Sequence, residues 1–94
     1  LRQNNKWFRW RLKTVLMTQH HKSFAEAQAL IDNLDDEMFD EVMTKAVVHY
    51  EKTTGKKVEK IGDGTIFQKI LEFLQSETGQ ALIQIFIQII LGLL

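Results

Sequence analysis

The chain has 94 residues, 45% of them hydrophobic, with 12 basic and 12 acidic side chains and a formal net charge of zero. It contains no cysteine and no proline, which excludes disulfide frameworks, thiolate zinc sites, cysteine nucleophiles and proline-rich linkers. The length suits one domain with a core of its own, and five glycines without a proline predict a mostly helical chain. The sequence begins at Leu1 rather than Met, which reads as a processed product, a fragment or an ordered portion of a longer chain, and no secretory signal is recognisable in it.

The charges are segregated. Residues 1–22 carry Arg2, Lys6, Arg9, Arg11, Lys13 and Lys22 with no acid, whereas residues 23–51 carry eight acids against Lys45 alone. Such asymmetry either pairs within the fold or marks two contact surfaces of opposite sign.

In chain order, the first predicted helix covers residues 5–21. At 100° per residue Phe8, Leu12, Val15 and Leu16 share one face, taken as the core face, and Trp7 and Trp10 fall outside it. Basic residues near a helix start oppose the macrodipole, so helix stability alone does not account for them. An acidic helical pair is predicted over 23–54. Ser23 with Glu26 three residues on has the capping-box spacing and starts a helix whose face is Phe24, Ala27, Leu30, Ile31 and Leu34. Asp35 is a plausible cap for the next helix, whose acidic first turn suits the dipole and whose stripe is Phe39, Val42, Met43, Ala46 and Tyr50. Gly55 supplies a left-handed stop, and 55–64 is the one evident loop.

Apolar helices are predicted over 65–94. Thr65 with Gln68 repeats the capping-box spacing, for a helix burying Ile66, Phe67, Ile70, Leu71, Phe73 and Leu74, and a break is expected near Gly79. The last 14 residues, from Ala81 to Leu94, have no charge and two polar side chains, Gln84 and Gln88. As a helix they rise about 21 Å, short of the ~20 residues that cross a hydrocarbon core. Isoleucine alternation makes a strand the rival, but no second strand is visible to pair with it, and Gln80, Gln84 and Gln88 at spacings of four fit a helix with a narrow polar stripe. A helix apolar on most of its circumference has more surface than three or four amphipathic neighbours cover. Part of the tail is therefore expected to face an external partner, so that removing residues 80–94 would leave the first helices folded.

Chemistry-bearing motifs are few. His20, His21 and His49 lack metal-ligand spacing, Gly55-Lys56-Lys57 lacks the rest of a phosphate loop, and Gly62-Asp63-Gly64 lacks the alternating acids of a calcium loop. The acids Asp35, Asp36, Glu37, Asp40 and Glu41 read as a solvated helix start rather than a catalytic carboxylate pair. Lys6-Trp7-Phe8-Arg9-Trp10-Arg11-Leu12-Lys13 interleaves cations with aromatics, a pattern that suits phosphates, stacked bases or an anionic membrane surface; the plainer reading pairs its cations with the acids of residues 32–41.

The expected fold is all-α, a small bundle of four or five short helices with a very apolar C-terminal helix. The expected function is non-enzymatic, without metal or cofactor: a structural or assembly protein joining subunits of a larger complex, such as a viral particle, through residues 80–94. The alternatives are a membrane-peripheral or membrane-active protein using the cationic Trp-rich N-terminal helix, residues 6–13 in particular, together with the apolar tail, and a small nucleic-acid-binding module acting through residues 6–13. The partner-binding candidates are Trp7, Trp10, Arg9, Arg11, Lys13, Gln84, Phe86, Gln88 and Ile90.

Overall fold

The ends of the helices are set by local hydrogen bonding. A computed structural model describes residues 2–58 and 75–94, and these form four helices and no strand: α1 (Arg2–Gln19), α2 (Phe24–Asp32), α3 (Asp36–Thr54) and α4 (Glu77–Ile90). The protein is all-α. The loop beyond Val58 and the helix expected from Thr65 lie outside the described residues.

After α1, His21 takes a left-handed φ of 55°, a conformation histidine enters more readily than most residues. The amides of His20 and Lys22 then both donate to the Leu16 carbonyl, at 3.2 and 3.1 Å. Ser23 closes the turn with a reciprocal capping box: its Oγ accepts from the Glu26 amide at 3.1 Å, and its own amide donates to Glu26 Oε1 at 3.2 Å. The Ser23 amide and hydroxyl together hold the Glu26 carboxyl below its usual range. Asp35 caps α3 by accepting from the Met38 amide at 2.7 Å, and Gly55, at φ 73°, ends that helix with its amide on Glu51 O at 2.9 Å. A left-handed residue at that point costs a side-chain-bearing amino acid roughly 1–2 kcal/mol, which glycine avoids.

The break before the tail falls earlier than Gly79. Ser76 is the cap, its Oγ accepting from the Gly79 amide at 3.0 Å, so Gly79 lies buried in the first turn of α4. A serine hydroxyl three residues before an amide captures it directly, and this local bond outweighs glycine's weak helix propensity. At its other end α4 stops in a Schellman arrangement: Leu93 N–H bonds Gln88 O at 2.8 Å and Gly92 N–H bonds Ile89 O at 3.1 Å, with Gly92 at φ 74°.

The core joins all four helices. It contains Phe8, Leu12, Val15 and Leu16 from α1, Ala27 and Ile31 from α2, Phe39, Met43, Ala46 and Tyr50 from α3, and Leu82, Ile83, Phe86 and Ile87 from α4. At its centre α1, α3 and α4 each contribute one phenylalanine. Phe8 meets Phe39 edge-on at 5.9 Å, Phe39 lies 5.0 Å from Phe86, and Phe86 is 6.3 Å from Phe8. Such pairs add ~0.5–1.5 kcal/mol each beyond the area they bury. Tyr50 Oη and Thr78 Oγ1, 3.2 Å apart, tie the end of α3 to the start of α4.

A further expectation from the sequence changes at α2. Phe24, assigned to the buried face of α2, is 60% exposed; it is the first residue of that helix, and Ala27 and Ile31 form the contact instead. Helix α4 is part of the core through Leu82, Ile83, Phe86 and Ile87, while Gln88, Leu93 and Leu94 of the tail are exposed. Among the described helices α3 packs chiefly on α4, and α1 on both α2 and α4.

Candidate interaction surface

Helix α1 has two faces of different character. Its core face is turned inward, and on the opposite side Trp7, Trp10, Thr14 and Met17 recur at spacings of three, four and three, which places them within a sector of about 80°. Trp7 and Trp10 are 51% and 56% exposed, and Met17 is also exposed. Thr14 turns its hydroxyl back onto the Trp10 carbonyl at 3.0 Å and so leaves its methyl group to the stripe. Exposed Lys6 and half-buried Arg11 flank the stripe on either side. The two tryptophans and the adjoining cations were legible as a motif; Met17, which prolongs the stripe by two turns, was missed, although the three-and-four spacing was there to find it.

The other two cations of the motif face elsewhere. Arg9 donates from Nη1 to Ile31 O at 2.5 Å and from Nη2 to Leu34 O at 2.7 Å, and its Nη2 also lies 3.8 Å from Asp36 Oδ1. The carbonyls at the end of α2 carry the negative pole of that helix, so a guanidinium fork there satisfies acceptors and opposes the dipole together. The same guanidinium sits 4.7 Å over the Phe39 ring. Lys13 Nζ donates to both oxygens of Asp32, at 3.0 and 3.2 Å. Arg9 and Lys13 thus clamp α2 to α1.

The candidates on the tail divide differently. Phe86 is wholly buried at the core centre and has no surface to present. Ile90 is partly buried against the core, and Gln88 is exposed. Gln84 donates from Nε2 to Gln19 Oε1 at 2.7 Å, joining α4 to the end of α1 within one molecule. Gln80 is exposed and donates to Gln75 O at 3.3 Å. Beyond α4, Leu93 and Leu94 are exposed.

Helix α3 has an acidic outward side. Glu37, Asp40 and Glu41 are exposed there, with exposed Val48 two turns further on. Lys45 reaches Glu41 at 3.6 Å, a solvent-exposed pair worth at most ~1 kcal/mol. Among the described residues no group of three or more His, Cys, Asp or Glu side chains could hold a metal ion, and no helix is long and apolar enough to cross a membrane. No family model matches the sequence, and no curated protein or solved structure gives a significant match to it.

Proposed function

We propose that this chain is a non-catalytic interaction module of a larger assembly, and that it makes contact through the outward face of α1 rather than through its apolar tail. One observation carries the reading: two tryptophans on a single helix face are each more than half exposed while smaller apolar side chains fill the core. Tryptophan is enriched at the energetic centres of protein interfaces, because its large surface is released from water at small conformational cost. The tail supports the reading indirectly, since Leu82, Ile83, Phe86 and Ile87 are committed to the core.

Replacing both Trp7 and Trp10 with serine is expected to abolish self-association or partner binding while the thermal midpoint moves by no more than a few degrees, as surface changes do. Light scattering beside thermal melting checks this. Association unchanged in the double variant would rule the surface out.

An anionic bilayer interface is the second reading, favoured by tryptophan beside lysine and arginine in a segment with no acid. Nucleic acid is less well supported. Arg9 and Lys13 are engaged by α2, which leaves few cations on this face to neutralise phosphates.

A further inference from the structure

The surface assigned to α1 has a chemical complement on the same molecule. The α1 face presents Trp7, Trp10, Met17 and two cations, Lys6 and Arg11; the outward side of α3 presents Glu37, Asp40 and Glu41, the last paired with Lys45, then Val48 between Lys45 and Lys52. Both run for about ten to twelve residues, or roughly 15–17 Å of helix. A molecule cannot close its own two outward faces on each other. A second copy can.

We infer that copies of this chain associate head to tail, the outward face of α1 in one molecule lying on the outward face of α3 in the next; this rests on the interaction surface proposed above. Charge order fixes the direction. On α1 the cations occupy the N-terminal half and Met17 follows; on α3 the acids occupy the N-terminal half, and Val48 follows between Lys45 and Lys52. A parallel crossing therefore sets Lys6 and Arg11 over Glu37 and Glu41 while Met17 meets Val48, and an antiparallel crossing sets cations over Val48. Zero net charge removes the long-range repulsion that like molecules otherwise feel. Because the two faces differ, each added copy leaves one of each kind open, so the contact closes into a ring or propagates as a chain.

The test uses the full chain and two variants at exposed positions, Trp10→Glu on α1 and Val48→Glu on α3, each first checked for wild-type helix content and melting. Light scattering should find the wild type larger than a monomer and growing with concentration, and each variant alone a monomer. An equimolar mixture of the two variants should double in mass and stop, since it contains one intact pair of faces. A Val48→Glu protein that associates as the wild type does, while Trp10→Glu does not, would overturn the head-to-tail pairing yet keep α1 as the contact surface. Association unaffected by Trp10→Glu would overturn both. A wild type that stays monomeric and floats with phosphatidylserine vesicles, losing this on Trp10→Glu, would also overturn the pairing and assign the face to lipid.

Discussion

Phe86→Ala is expected to lower the unfolding free energy by roughly 3–5 kcal/mol, the range for truncating a fully buried phenylalanine. Phe86 has no solvent exposure and lies against the rings of both Phe8 and Phe39. The cavity would open where three helices meet, a place with little freedom to collapse. In a 60–100-residue domain 1 kcal/mol moves the midpoint by roughly 4–8 °C, so thermal melting followed by circular dichroism resolves the effect easily. A loss below ~0.5 kcal/mol, the range of surface changes, would place Phe86 outside the core.

The second large effect is expected at Arg9. Its side chain is 15% exposed and satisfies two carbonyls at the end of α2 while covering the Phe39 ring. Hydrogen bonds to a charged group contribute ~1.5–3 kcal/mol and a cation–π contact ~0.5–1. Water can reach the freed carbonyls of a truncated variant in part, so Arg9→Ala should cost about 2–4 kcal/mol, measured by urea unfolding. Arg9→Lys should restore a minor part of the loss, because a single ammonium cannot span both carbonyls as the planar fork does. Equal stability of Arg9→Ala and the parent protein would show that the side chain is held there without consequence.

The caps were the most legible part of the sequence, because each depends on residues within three or four positions: Ser23 with Glu26, Asp35 before an acidic turn, Gly55 after a helix. The inward faces of α1 and α3 were legible for a similar reason, since Phe8, Leu12, Val15 and Leu16, or Phe39, Met43, Ala46 and Tyr50, repeat at the helical period. What periodicity does not carry is which stripe meets which. The sequence of α4 reads the same whether neighbours within the chain or other molecules cover its apolar sides, and its placement follows from α3 packing on it. Arg9 shows the same limit from the polar side. The helical period sets Arg9 and Arg11 on different sides of α1 but does not say which side meets another helix; one binds the end of α2 across 22 and 25 residues and the other flanks an exposed stripe. The proposed contact surface was half legible, its tryptophans visible as a motif and their exposure dependent on how α1 is turned in the bundle.

Helix α4 belongs to the core of a single molecule and is not held in place by partners. Native-state hydrogen exchange tests it most directly, because amides of a core helix open only with the whole fold whereas those of an appended segment open locally. The amides of residues 82–87 should exchange with a free energy equal to that of global unfolding, in dilute as in concentrated protein. Exchange of those amides near the free-peptide rate while α1 and α3 remain protected, or protection that appears only as concentration rises, would place α4 outside the core of the single molecule.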